Sequence, residues 1–130
     1  MNERKQLIIA LCGSTIGARK EAFEALYNHF PVCADLTVSS GVRATWRRGD
    51  ALFDALDAFK SSASPVALAI ITCHEEAESV NMMGGHVVHV EGTPSDDIAI
   101  ERHTALLTMK TEGRGRYTTV TETVEKLLAA

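Results

Sequence analysis

Two runs free of charged residues, Gln6-Leu-Ile-Ile-Ala-Leu-Cys12 and Val66-Ala-Leu-Ala-Ile-Ile-Thr72, constrain the fold of this chain more than any other feature. Neither alternates polar with apolar residues, so neither suits a strand with one wet face. Each fits a strand covered on both sides, as in a parallel sheet sandwiched between helices. The first run breaks at Gly13-Ser-Thr-Ile-Gly17, and Phe23, Leu26, Tyr27 and Phe30 then recur at helical spacing. That stripe predicts an amphipathic helix, ended by Pro31. Val32-Cys-Ala-Asp-Leu-Thr-Val38 reads as the next strand, broken by Ser39-Ser-Gly41, and Asp50 as the cap of a helix carrying Leu52, Phe53, Leu56 and Phe59.

The second charge-free run follows and is expected near the middle of the sheet. Residues 75–83 predict a short helix with Ala77, Val80 and Met83 inward, closed by Gly84-Gly85. His86-Val-Val-His-Val90 is a further strand, and residues 105–109 fit strand or helix equally by pattern. Thr119-Val-Thr-Glu122 fits a capping box opening a last helix, with Val120, Val124, Leu127 and Leu128 as its stripe. Strands alternating with helices predict an α/β fold in which a mostly parallel sheet is flanked by helices, in a single domain over residues 1–130.

Charge and cysteine content exclude several functions. With 13 Lys+Arg against 17 Asp+Glu, a net charge of −4, there is no general electrostatic drive toward nucleic acid, which needs a concentrated basic face, and nucleic acid is not the expected partner. There is no run of about 18 apolar residues, so no membrane span is expected. The Met1-Asn-Glu-Arg-Lys5 start is charged where a secretory signal is apolar, and the chain is expected to be soluble and cytoplasmic. Cys12, Cys33 and Cys73 are odd in number and embedded in apolar stretches, which predicts reduced core thiols. No Ser/His/Asp or Cys/His set assembles, and Met82-Met83 reads as core. His86 and His89 are three apart on a strand and so face opposite sides, and no metal site is expected.

In a parallel sheet, ligands bind outside the carboxyl ends of the strands. The loop and helix start after the first strand, with Gly13, Ser14, Thr15, Gly17, Arg19 and Lys20, would turn backbone N–H groups, a helix dipole and two cations toward an anion. Asp35, at a strand end, would hold a substrate hydroxyl or cap a turn. Arg43, Arg47 and Arg48, with Trp46, form the one basic cluster; they would bind phosphate, stack a base, or pair with nearby carboxylates.

From Gly13 the loop resembles a Walker A sequence, Gly-x-x-x-x-Gly-Lys-Ser/Thr, with Ala18, Arg19 and Lys20 at its last three signature positions. Ala34-Asp35-Leu36, Glu76-Ala-Glu78, Gly84-Gly85, His86-Val-Val-His-Val90 and His103-Thr-Ala-Leu106 follow in order. Together they make the chain from Gln6 to Ala130 resemble a shortened phage-type deoxynucleoside monophosphate kinase of the P-loop fold. The resemblance implies a three-layer P-loop-kinase-like domain and ATP with Mg²⁺ as the group it would take. It also implies lost chemistry: Ile70, Thr72 and Leu106 stand where the family has an Asp, an Arg and an acidic residue, and residues 30–65 are too few for the family's full substrate and lid region. The expected function is a degenerate nucleoside monophosphate kinase-like domain, a pseudoenzyme that binds a nucleotide or phosphate ligand or a protein partner. One alternative is an active minimal kinase using Arg19 or Lys20 as the phosphate cation and Asp35 to organise Mg²⁺. Another is a phage-type interaction or inhibitor protein without a small ligand, docking or forming a homo-oligomer through an edge strand or helix.

Overall fold

Six strands, β1 (Leu7–Cys12), β2 (Ala34–Asp35), β3 (Val66–Ile70), β4 (His86–Val90), β5 (Ala105–Leu107) and β6 (Tyr117–Thr118), run parallel in the order β2-β3-β1-β4-β5-β6. The computed structural model describes residues 6–113 and 115–129; the charged start at residues 1–5 lies outside them. Four helices, α1 (Ile16–His29), α2 (Thr45–Lys60), α3 (His74–Met82) and α4 (Val120–Ala129), cover the sheet. No helix among the described residues is long and apolar enough to cross a membrane.

Alternate residues of β1 divide the core into two layers. Leu7, Ile9 and Leu11 pack with Ala22 and Leu26 of α1 and Val124 and Leu127 of α4. Ile8, Ala10 and Cys12 pack with Leu52, Leu56 and Phe59 of α2 and Ala77 and Val80 of α3. All six residues of β1 are buried, as its unbroken apolar run requires. β3 is interior, paired with β1 on one side and β2 on the other. The capping box at the start of α4 is formed: the Thr119 N–H donates to Glu122 Oε1 at 3.0 Å and the Glu122 N–H to Thr119 Oγ1 at 3.3 Å. The Thr119 N–H, with a smaller share from the Thr119 hydroxyl, holds the Glu122 carboxyl below its ordinary range. Gly84, at φ +75°, closes α3 as its sequence position predicts.

Several boundaries differ from the sequence pattern for identifiable reasons. β2 is two residues long instead of spanning 32–38, because the Asp35 carboxylate accepts the Thr37 N–H at 2.9 Å and turns the chain. α2 opens at Thr45, leaving Asp50 inside the helix; the buried face of its early turns is Arg48 and Gly49, which hydropathy does not reveal. The buried stripe of α1 runs through Ala22 and Leu26, where a small side chain lets the helix approach the sheet, while Tyr27 is turned outward and stacks on Phe23. Met82 and Leu128 are exposed. Cys33 is only half-buried, and all three cysteines are free. Residues 105–107 resolve as strand.

Between β4 and β5 the connection has no helix. Residues 91–104 instead carry Ile98 into the α2–α3 layer of the core, the Asp97 carboxylate caps α3 by accepting the His74 N–H at 2.7 Å, and the Thr93 carbonyl accepts the Ser14 N–H at 2.6 Å.

Candidate functional site

α1 leaves the sheet on one face and α3 on the other, so the chain parts where β1 and β3 end, as it does at a topological switch point. A cleft of about 470 Å³ lies there, between the start of α1, the β2–α2 connection and the end of β3. Arg19 and Lys20 from α1 and Arg43 from the connection bring cations to it. Ile16, Val38, Val42 and Ile70 supply an aliphatic wall. Among the described residues, none of the lining side chains is a carboxylate.

Among the described residues, the three cations, Arg19, Lys20 and Arg43, have no ion-pair or side-chain hydrogen-bond partner. Arg19 Nε is moreover buried without any hydrogen-bond partner. A buried donor left unsatisfied costs about 1–3 kcal/mol, and no described residue offsets that penalty here.

The loop before α1 is tighter than a phosphate cradle. Only Gly13, Ser14 and Thr15 separate β1 from α1, and Gly13 and Ser14 both take positive φ, +80° and +61°. The Gly13 conformation is free for glycine, and Ser14 is held in its own by the Thr93 carbonyl over its amide. Thr15 caps the helix, its Oγ1 accepting the Ala18 N–H at 3.1 Å. Gly13, Ser14 and Thr15 thus shape the entry to α1, Gly17 lies exposed in its first turn, and Arg19 and Lys20 reach the cleft.

The residues of the second expected group separate. Asp35 is exposed and occupied by its own turn, and Arg47 is exposed with its guanidinium 5.3 Å from the Trp46 ring centroid. Neither lines the cleft. Arg43 does. Arg48 borders the cleft but is buried and committed inward: Nε donates to Glu76 Oε1 at 3.1 Å, Nη1 to the Ser39 and Val42 carbonyls at 3.0 and 2.8 Å, and Nη2 to the Val38 carbonyl at 3.3 Å. One guanidinium therefore fastens the cleft's outer wall to α3. Glu76, fully buried, also accepts the Thr72 N–H at 3.0 Å and the Thr72 hydroxyl at 3.2 Å. Its position one turn before Val80 on the inward face of α3 was a readable sign that a carboxylate was being buried and would need a cation.

A Cys/His contact, not expected from the sequence, forms beneath the loop. Cys12 Sγ is 3.4 Å from both ring nitrogens of buried His89, and His89 Nε2 donates to the Ile98 carbonyl at 3.2 Å. Burial pushes the Cys12 thiol up to about 12, with the nearby Arg19 charge only partly opposing it, and lowers His89 from its ordinary 6.5. A neutral thiol beside a neutral imidazole is not an activated nucleophile. It is instead a source of acid sensitivity. Below about pH 6.5 the unfolded chain takes up a proton that folded His89 refuses, so stability should fall as pH drops through that value toward the lower folded pKa, and this contribution should be flat above it. Urea titrations at pH 7.5 and 5.5 check this, and the His89→Gln variant should lose that part of the difference.

The site rests on this geometry alone: no protein-family model matches the chain, and no curated protein matches it.

Proposed function

We propose that this chain is a kinase-like domain that binds a nucleotide or a related phosphorylated ligand in the cleft between β1 and β3 without transferring phosphate. The observation that carries the reading is the convergence of three cations that pair with no other described residue, Arg19, Lys20 and Arg43, on a cleft that also has an aliphatic wall. Such a surface matches a ligand with one strongly anionic end and one apolar face. The strand order, with the site at a switch point beside the first strand, is compatible with the P-loop kinase resemblance.

The chemistry of the lining residues favours binding over transfer. Mg²⁺ requires oxygen ligands. Lys20 stands where the Walker sequence has its hydroxyl, no described lining residue is a carboxylate, and the Thr37 and Thr72 hydroxyls are engaged with the Ile70 N–H and Glu76. These residues do not fit Mg²⁺, and no catalytic step is assigned through it.

Calorimetric titration and thermal unfolding with ATP, deoxynucleoside monophosphates and diphosphates test the reading. A ligand at ten times its Kd should stabilise the fold by about 1.4 kcal/mol, a shift of several degrees. Arg19→Ala should weaken binding at least tenfold without lowering the stability of the free protein, since it removes a buried donor that nothing satisfies. Absence of heat and of any shift with every ligand at millimolar concentration would overturn the proposal. A coupled ADP-release assay should show no turnover, and turnover that disappears in Arg19→Ala would replace it with the active-kinase reading.

A further inference from the structure

One segment touches both the start of α1 and the start of α3. The connection after β4 meets the loop before α1 at one end, where the Thr93 carbonyl accepts the Ser14 N–H at 2.6 Å. Gly92 lies so close there that a Cβ on it would overlap the Ser14 hydroxyl and stand 3.2 Å from the Ser14 Cα. Four residues after Thr93 the segment meets α3, where the Asp97 carboxylate accepts the His74 N–H at 2.7 Å. Between these ends the chain is stiff. The Pro94 ring fixes one backbone angle, and the Ser95 hydroxyl accepts the Asp97 N–H at 3.3 Å and the Ile98 N–H at 3.2 Å.

The segment's hold on the core is narrow. Among residues 91–104 only Ile98 is buried, within the α2–α3 layer, and its carbonyl accepts His89 Nε2 at 3.2 Å. A hollow of about 160 Å³ borders Ile98 between this segment and α3. A stretch with one apolar anchor and otherwise exposed hydrogen bonds opens locally, well below the free energy of global unfolding. Because the stretch is stiff, loss of the anchor takes the Thr93 carbonyl and the Asp97 carboxylate from their partners together. Ser14 then has no carbonyl to keep its left-handed φ of +61°, which a non-glycine residue holds only where its surroundings impose it. α3 loses its cap, and α3 carries Glu76, the carboxylate that holds Arg48 at the cleft's outer wall.

We propose that residues 92–98 form a strap that opens and closes as one unit and braces the start of α1 and the start of α3 at once, so that the two walls of the cleft are set together. The strap's unity does not depend on which ligand the cleft takes, and no ligand is needed to measure it.

Amide hydrogen exchange of the full chain, followed by NMR, is the experiment, with the Ser14 and His74 amides as reporters of the strap's two ends. Gly92→Ala presses on Ser14 alone, yet it should speed exchange at His74 by the same factor as at Ser14, at least about tenfold, because an opening shared by both ends has one equilibrium constant. Ile98→Val trims the anchor without touching either reporter and should speed both by a common factor of about two to ten. Gly92→Ala that speeds Ser14 and leaves His74 at the parent rate would overturn the proposal, since the two contacts would then open separately. So would Ile98→Val with either reporter unmoved, because Ile98 would not be the anchor of both ends.

Discussion

Arg48→Ala is expected to destabilise the protein by about 3–5 kcal/mol, which for a chain of this length lowers Tm by roughly 10–20 °C, and to abolish ligand binding at temperatures where the variant is still folded. The size follows from where the pair lies. Glu76 is completely buried and Arg48 nearly so, and removing the guanidinium leaves a carboxylate with no cation and one oxygen, Oε2, that already lacks a partner. Three loop carbonyls lose their donor in the same stroke. Urea unfolding measures the stability, and the double variant Arg48→Met with Glu76→Leu separates the two effects. Apolar replacement of both partners of a buried ion pair is often neutral or stabilising, so the double variant should recover most of the lost stability. It should not recover binding, because methionine cannot hold the Val38, Ser39 and Val42 carbonyls. A single Arg48→Ala variant within about 1 kcal/mol of the parent would show that the buried pair does not hold the cleft wall.

That pair also marks the limit of what the sequence discloses. β1 and β3 were legible because an unbroken apolar run has only one economical fate in an α/β chain: burial on both faces. The helix stops at Gly84 and the capping box at Thr119 were legible because each is a local chemical requirement, met within four residues. Arg19, Lys20 and Arg43 were found through their position after strands, which the parallel order brings to one edge. Arg48 was read as binding phosphate, stacking a base or pairing with a nearby carboxylate; that its partner is the buried Glu76, 28 residues away, was not legible, because hydropathy assigns arginine and glutamate to the surface whatever they meet in the fold. The start of α2 was misplaced for the same reason: its first buried residues, Arg48 and Gly49, are not apolar in the usual sense. The cleft's aliphatic wall was equally hidden, since Val38 and Val42 read as strand end and loop until β2 proved to be two residues long.

Gly49 makes the second large effect predictable. A Cβ at this position would stand 2.8 Å from the Glu75 Cβ and 3.1 Å from the Glu75 carbonyl oxygen, atoms of the facing helix that no rotamer change can move. The Gly49 carbonyl in turn accepts the Ser79 hydroxyl at 2.8 Å, so α2 and α3 are tied at the point of closest approach. Glycine inside a helix ordinarily costs about 0.5–1 kcal/mol relative to alanine, and overpacking costs about 1–3 kcal/mol. For Gly49→Ala these terms partly offset, and a net loss of about 1–2 kcal/mol is expected. For Gly49→Val the extra bulk comes with little gain in helix propensity, and the loss should reach about 3 kcal/mol or more. Gly17→Ala is the matched control: no atom lies within 4 Å of a Cβ there, and the exchange in α1 should stabilise by up to about 1 kcal/mol. Because α2 can relieve the contact only by moving away from α3, and Arg48 precedes Gly49 directly, the same variants should lengthen the reach from Arg48 to Glu76 and weaken ligand binding in step with stability. Gly49→Val as stable as the parent would mean that α2 and α3 are not in contact at Gly49, and the Arg48 clamp would then lose its geometric basis.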